Sequence, residues 1–537
     1  MIQNKNYRVK QFFLKPQING LPKAEDKRAV NRPAAIEKGA NDSVWTQQSL
    51  STLIHSQLGH RHMVIVANRE PLIRCSEHQK HQPTKAVSGL VSALFPFIES
   101  TGGTWISHAS GQQTSTDFED FGTPGLVESD EAKFAVRRVR SDDNEYRQYY
   151  ENFSNKGLWP LCHVAFTQPK FTAESWAAYR QVNQRFAEAV LNEVAGRPAI
   201  VFVQDYHLAL LPSILKKDNQ NIIIAQFWHI PWPPWDIFRT CPNHQELLEG
   251  LLGNDLLGFQ LPEHCQNFLA CRNAVKPATK NQNNGTQASL VRDTEVRQFP
   301  ISIDVASHQL LATGNSVSSS MAKWSKRLDC KRIRIGLGVE RLDYTKGILQ
   351  RLGAIRLLLE TNHELIGLFT FVQIATLSRL ALDDYKQLKD DIIQLSNDIN
   401  LQFGNKNWQP ILLELRSYNQ VELIALEWLA SFCMVSSLHD GMNLVAKEFC
   451  ASRIDNQGVL ILSKFAGSAL ELNGAILVNP FSIEMLADAM VQALRMKPKE
   501  METRMKKMRS HLQAHNVFRW GADMASHLIK LDAVKYP

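Results

Sequence analysis

Two cations stand at the end of one apolar run. In GVERLDYTKGI (338–348), Arg341 and Lys346 are separated by a turn and followed by Gly347. A guanidinium grips phosphate oxygens through parallel N–H bonds, and an ammonium adds a compact charge. A pair of solvated surface cations has the same composition, but the strand-end position and the glycine favour a phosphate site. Later, HDGMNLVAKEF (439–449) sets Asp440 and Gly441 at a turn and Asn443 at the mouth of an apolar helix. The free backbone N–H groups of Gly441, Met442, Asn443 and Leu444 suit an anion or hydroxyls. Glu448 follows about two turns on. A sugar nucleotide uses all of this: Asp440 and the amides for sugar and phosphate, Glu448 for ribose hydroxyls. A capping aspartate with a solvated glutamate is the plainer alternative. Lys447 beside Glu448 predicts a helix with one wet face.

The first half offers a different set. Gly89 in SGL (88–90) opens a helix where backbone can approach a phosphate. VQDYH (203–207) and FWHIPWP (227–233) put Asp205 and His229 at two strand ends. A histidine among aromatics and prolines is often a packed loop residue; opposite a cationic site it can face a reacting sugar. YYENFSNKGLWP (149–160) places Tyr150 and Trp159 in a polar region, as a carbohydrate ring with apolar faces and a hydroxyl rim requires.

These residues sit at the tips of short apolar runs. In the first half the runs are 63–68, 199–207, 222–233, 255–260 and 296–304; in the second they are 332–343, 368–376, 433–440, 458–467 and 475–480. Helical stretches intervene, 87–100 and 174–196 among them. Continuous apolar strands alternating with helices predict parallel sheets covered on both faces, with ligands beyond the carboxyl ends of the strands. The fold class is therefore α/β, two doubly wound Rossmann-like domains facing across a cleft. The expected boundaries are a basic, loosely ordered extension over 1–58, an N-terminal domain over 59–312, and a C-terminal domain over 328–499. A Ser- and Lys-rich segment near 312–328 separates the halves. A basic amphipathic helix over 500–537 packs back across the cleft.

Composition narrows the function. A chain of 537 residues is too long for one core. The net charge of +7 is mild, and no Lys/Arg block alternates with aromatics, so a small anionic ligand fits better than nucleic acid. The eight cysteines form no CxxC pair, most lie in apolar company, and no run is long enough to span a bilayer. No signal-peptide core opens the sequence. The expectation is a cytoplasmic protein with no membrane partner. No P-loop, dinucleotide-binding GxGxxG, GxSxG elbow or metal-spaced cluster occurs.

Taken in order and spacing, ANREP, YYENFSNKGLWP, VQDYHLALLP, HIPWP, LLGFQ, VERLDYTKGI, VQIATLSR, HDGMNLVAKE and SKFAGSALEL resemble one family. It is the trehalose-6-phosphate synthases and their relatives, retaining glycosyltransferases of the GT-B fold, over residues 62 to 500 or so. The resemblance implies UDP- or ADP-glucose as donor, glucose 6-phosphate as acceptor, and no cofactor or bound metal. It implies that Arg341 and Lys346 bind the donor diphosphate. Asp440 and the amides of 441–444 would hold glucose, Glu448 the ribose, and Gly89 the phosphate. His229 would stand beside the donor sugar, and Asp205 on the acceptor side. Arg69, Tyr150, Trp159 and Arg379 would hold glucose 6-phosphate. Two departures from the family pattern stand out. The phosphate loop reads Ser88-Gly89 where the family has two glycines, and His108 in GGTWISHASG (102–111) replaces a tryptophan of the acceptor pocket. The second keeps glycerol 3-phosphate open as an alternative acceptor. A non-catalytic sugar-phosphate-binding homologue should have lost reactive positions that are all present here. The chain leaves no room for an appended phosphatase domain; donor base, self-association and the purpose of 1–58 stay open.

Overall fold

The computed structural model describes residues 44–73, 84–85, 94, 97–98, 102–109, 125–128, 133–218, 221–275, 294–379 and 382–535. Two parallel sheets organise it. Across the first, the strands run Glu295–Gln298, Leu256–Phe259, Ile222–Trp228, Ala199–Gln204, His62–Ala67, Thr104–His108, Lys133–Val139 and Gly125–Glu128. Only the last pairing is antiparallel. The second sheet runs Ile411–Glu414, Phe369–Thr376, Arg334–Arg341, Ala430–Val435, Val459–Ser463 and Ile476–Val478, all parallel.

The central strands are wholly buried: every residue of Ala199–Gln204 and of Ile222–Trp228 is covered. That is why they read as unbroken apolar runs instead of alternating ones. Helices cover both faces, giving each sheet two apolar layers. In each sheet the chain winds outward from a founding strand, then returns to its other side. The first reversal lies between His62–Ala67 and Ala199–Gln204, the second between Arg334–Arg341 and Ala430–Val435. At such a reversal the flanking loops diverge and open a crevice beyond the strand ends. Arg69 and Asp205 follow the first pair of strands; Arg341, Lys346 and Asp440 follow the second.

Three expectations about segments need correction. Residues 44–58 are not a loose tail: Gln47–Leu58 is a helix. Thr46 and Ser49 form a reciprocal capping box, and Leu50, Ile54 and Leu58 are buried on one stripe. Each of those three burials is worth about 2 kcal/mol. Residues 1–43 lie outside the described residues. The polar segment near 312–328 does not separate the halves. It folds as the helix Asn315–Arg327, whose Val317 and Trp324 join the core of the second sheet. Serines and lysines occupy its outer face, which hid the apolar stripe. The terminal helix is two helices, Pro498–Ala514 and Val517–Lys535. Met505, Met508 and Leu512 pack on the second sheet; Val517, Trp520, Met524 and Leu528 pack on the first. The chain thus crosses between lobes twice, and the crossings are tied by Val517 N–H donating to the Ile303 carbonyl at 3.0 Å. No helix among the described residues is long and apolar enough to cross a membrane.

Candidate active site

On the second lobe, the strand Arg334–Arg341 runs out into a short 3₁₀ turn, Tyr344–Lys346. Asp343 caps that turn, accepting from Thr345 N–H at 3.0 Å. Gly347 then takes φ 65°, in the left-handed region that side chains disfavour, and the Ser436 backbone fills the space a Cβ would need. The turn aims Lys346 Nζ at Asp440 Oδ2, 2.7 Å away. The same oxygen accepts from Ser437 Oγ and from Asn443 Nδ2, each at 3.1 Å. Burial alone would raise the Asp440 pKa; Lys346 and the amide of Asn443 more than reverse that and hold it below the usual carboxylate range.

Asn443 answers the sequence puzzle at 439–449. Its φ of 75° is a left-handed conformation that asparagine tolerates, and its Oδ1 caps the helix Leu444–Ser452 by accepting from Ala446 N–H at 3.1 Å. Gly441 lies against the other lobe: a Cβ there would stand 2.5 Å from the His229 carbonyl oxygen. Met442 is buried in a core layer of the first sheet, and Leu444 packs against layers of both sheets. The expected wet face is not where Lys447 points. Lys447 is fully buried, donating to the Ile301 carbonyl at 2.7 Å and pairing with Glu471 at 2.6 Å. Glu448 is half-buried, in the field of His308 and Glu427, and burial raises its pKa.

On the first lobe, Asp205 takes φ 69° as the strand ends, and its Oδ1 accepts from His229 N–H at 3.3 Å. Burial pushes its carboxyl up to about 7, against the pull of the Tyr206 and His229 amides and of Arg69 and Arg379. The His229 ring shares 2.9 Å with Gln204 Oε1, and burial drives its pKa down to about 3, so the imidazole is neutral. A twelve-residue π-helix, Arg147–Leu158, carries Tyr150 and leads into Trp159. π-helical turns are rare and concentrate at functional sites. Here one aligns a column of rings. His108 lies 4.5 Å from Tyr146, Tyr146 stacks on Tyr150 at 5.1 Å, Tyr150 on His207 at 5.5 Å, and His207 on Tyr206 at 4.0 Å. His108 is buried, 2.7 Å from Ser141 Oγ, and burial lowers its pKa to about 4.

The lobes meet at Trp159. Its ring lies under Arg379 at 4.3 Å and Arg341 at 5.4 Å, both from the second lobe. Arg379 also reaches Tyr206 OH of the first lobe at 3.4 Å, and His439 Nδ1 pairs with the His163 carbonyl at 2.8 Å. Although burial raises the pKa of Tyr150, Arg379, Arg69 and Arg341 together bring it below the ordinary tyrosine range. Three guanidiniums whose fields overlap at one phenol also suit a phosphomonoester. Around it, Trp159 Nε1, Gln204 Nε2, Arg379 Nε and Asn155 Nδ2 are buried donors with no partner among the described residues.

The structure therefore gathers Arg69, Asp205, His229, Tyr150, Trp159, Arg341, Lys346, Arg379, Asp440, Gly441, Met442, Asn443 and Leu444 around one interlobe crevice, with His108 at the far end of the ring column. Glu448 is not among them: it sits midway along the helix Leu444–Ser452, in the field of His308 and Glu427. Gly89 lies outside the described residues. Tyr206, Asp343 and Tyr385 carry no role in the sequence reading, and Lys447 entered it only as the mark of a wet helix face. Each gains its meaning from a partner distant along the chain, although Tyr206, Asp343 and Lys447 lie inside the motifs VQDYH, GVERLDYTKGI and HDGMNLVAKEF. No cluster of three or more His, Cys, Asp or Glu among the described residues could hold a metal ion.

Residues 61–530 match the model of glycosyltransferase family 20. A trehalose-6-phosphate synthase of Mycolicibacterium vanbaalenii is 37% identical over 487 residues, covering 89% of this chain and 98% of the relative. One from Mycobacterium sp. strain JLS is 38% identical over 471 residues, covering 86% and 95%. Among solved structures, an E. coli trehalose-6-phosphate structure bound with UDP-2-fluoro glucose superposes with a TM-score of 0.76 at 28% identity, covering 87% of this chain and 99% of that one. A UDP-forming α,α-trehalose-phosphate synthase of Burkholderia xenovorans in complex with glucose-6-phosphate gives 0.75 at 30% identity, with the same coverage. The chain belongs to glycosyltransferase family 20, and it is a glycosyltransferase with the GT-B fold.

Proposed function

We propose that the chain transfers glucose, with retention, from a nucleoside-diphosphate glucose to glucose 6-phosphate, giving α,α-trehalose 6-phosphate and NDP. One observation carries the reading: the reversal points of the two sheets face each other, one bearing Arg341, Lys346 and Asp440, the other Arg69 and Asp205, with His229 at the end of the next strand. The names of the relatives and the two ligands in the solved neighbours support the same pair of substrates.

Arg341 and Lys346 bind the diphosphate, Asp440 and the 441–444 amides the glucose, and Glu448 the ribose. Gly89 approaches the phosphate. Arg69, Tyr150, Trp159 and Arg379 hold the phosphate of the acceptor, with His108 at the pocket's edge and Asp205 on the acceptor's sugar side. His229 lies against the donor sugar. In the step itself the bond from the glucosyl C1 to the diphosphate oxygen breaks as the acceptor hydroxyl bonds C1 from the same face. The hydroxyl proton passes to the departing phosphate oxygen. Cations fixed before the reaction stabilise charge as it develops on the diphosphate, with no reorganisation to drive. Retaining glycosidases instead place two carboxylates across the sugar, about 5–5.5 Å apart. Here the nearest acids divide their work: Asp440 is held by Lys346 and Asp205 by backbone amides. Arg341 and Lys346 neutralise the diphosphate, so the proposed reaction uses no cofactor or metal.

The test is a matrix. UDP-glucose and ADP-glucose are each combined with glucose 6-phosphate and glycerol 3-phosphate, with and without a chelator, and the products are identified by mass. The proposal expects a hexose disaccharide phosphate whose yield is unaffected by chelation. Preference for glycerol 3-phosphate would reassign the acceptor to the pocket that His108 reshapes. Binding of both substrates without turnover would make the chain a sugar-phosphate-binding homologue.

A further inference from the structure

Asp343 follows the strand that carries Arg341 and precedes Lys346 in the same turn. Its carboxylate is fully buried, which is costly unless every lone pair is used. Oδ1 accepts from Thr345 N–H at 3.0 Å and Thr345 Oγ1 at 2.9 Å. Oδ2 accepts from Tyr385 OH at 3.1 Å, and it lies 3.6 Å from Arg379 Nη1 and 4.0 Å from Arg341 Nη2. Tyr385, buried at the start of the helix Asp383–Phe403, in turn accepts from Arg379 Nη1 at 2.8 Å. The other edge of Arg379 meets Tyr206 OH at 3.4 Å, and Tyr206 OH donates to Asn155 Oδ1 at 2.9 Å on the π-helix. One continuous set of contacts thus runs from the turn holding Lys346, through Asp343, Tyr385 and Arg379, to the first lobe. The backbone at Arg379 has φ 55°, a conformation that costs energy in a long side chain and persists only where its surroundings enforce it.

We infer that Asp343 and Tyr385 are positioning residues that lock Arg341 and Arg379 at a fixed separation, so that the donor diphosphate and the acceptor phosphate are bound in register. The inference rests on the proposed assignment of those two arginines to the two substrates. Neither Asp343 nor Tyr385 touches a reacting atom; each acts through a guanidinium. Tyr385 contacts Arg379 directly and reaches Arg341 only through Asp343, whereas Asp343 faces both arginines, and that difference separates their effects. Removing the Tyr385 hydroxyl loosens the acceptor side. Removing the Asp343 charge loosens both sides.

Full-length wild type, Tyr385→Phe, Asp343→Asn, Arg379→Lys and the double variant Arg379→Lys/Tyr385→Phe form the test. Steady-state kinetics are combined with calorimetric binding of UDP and of glucose 6-phosphate. Tyr385→Phe should raise the acceptor KM and Kd about tenfold, the worth of one hydrogen bond to a charged group, while UDP affinity changes by less than about twofold. Asp343→Asn should weaken both ligands. The double variant should bind glucose 6-phosphate no more weakly than Arg379→Lys alone, since both changes break one interaction. Overturning results are unchanged glucose 6-phosphate affinity in a folded Tyr385→Phe, or full additivity in the double variant. Should the wild type turn over no donor, the functional assignment falls, and the binding measurements still decide the positioning role.

Discussion

Replacing Lys346 with alanine should separate what this residue does for stability from what it does for turnover. Its ammonium and Asp440 form a pair 2.7 Å apart with 11% and 12% of their side chains exposed. Breaking a buried pair costs about 3–5 kcal/mol when the remaining charge is left alone. Asp440 would not be alone, because Ser437 and Asn443 still donate to it. The expected loss is therefore about 2–3 kcal/mol, or roughly 4–12 °C in the melting of a lobe of about 200 residues. The sign of its pH dependence follows from the Asp440 shift. A carboxylate whose folded pKa is depressed contributes stability above its unfolded value, about 3.9, and loses it as pH falls through the folded value. Lys346 supplies much of that depression, so the difference between wild type and variant should be full at pH 7 and shrink below about pH 4. Turnover should fall by about 10²–10³, the usual effect of losing one preorganised charge donor. Adding Asp440→Asn to Lys346→Met removes the stranded charge and should recover most of the melting temperature while leaving turnover low. Scanning calorimetry and an NDP-release assay read the two quantities separately. If the double variant regained activity along with stability, Lys346 would be a structural residue and its diphosphate role would be wrong.

Other substitutions probe the same crevice. Asp205 titrates at about 7, raised by burial, so its stabilising contribution is full below about 3.9 and lost as pH rises through about 7. Asp205→Asn should therefore gain about 1.5 kcal/mol relative to wild type at pH 5, rising to about 4 kcal/mol by pH 7, and its kcat/KM should lose the rising limb near 7, leaving the substrate phosphate's limb near about 6. Gly441→Ala places a Cβ 2.5 Å from the His229 carbonyl, backbone against backbone, so the lobes must part. It should cost about 1–3 kcal/mol of closure, seen as a donor KM raised about tenfold; an unchanged KM would mean the lobes do not close at this contact. Lys447→Met leaves Glu471 paired, among the described residues, with His511 at 3.5 Å, and frees the Ile301 carbonyl at the interlobe crossing. A loss of about 2–4 kcal/mol in thermal unfolding is expected, and none would show that the buried lysine is dispensable.

The strands that build the crevice were legible because central parallel strands are apolar throughout and end abruptly in Asp, His, Arg or Pro. Lys133–Val139 escaped notice because it is an outer strand on which lysine and arginine interrupt the apolar residues. Thr104–His108 is only five residues long and directly follows Gly102-Gly103. The helices at 47–58 and 315–327 were hidden for one shared reason: a single buried stripe every third or fourth residue is diluted by serine, glutamine and lysine on the wet face. At the site, residues inside contiguous motifs were readable, while those defined by partners far along the chain were not. Lys447 meets Ile301 and Glu471, and Tyr385 meets Arg379 and Asp343, whereas Arg379 itself was readable inside VQIATLSR. No local pattern announces a π-helix, although the one at 147–158 sets the register of Tyr146 and Tyr150 against His207.

Arg341 tests the central claim most directly, because it combines a partly exposed guanidinium at the second sheet's reversal point with a contact to Trp159 of the opposite lobe. Turnover of Arg341→Ala is to be measured with saturating UDP-glucose and glucose 6-phosphate, alongside its melting curve. The account predicts a fall of at least about 10²-fold with a melting temperature close to wild type. Near-normal turnover in a folded variant would contradict the assignment of the departing diphosphate to this side chain.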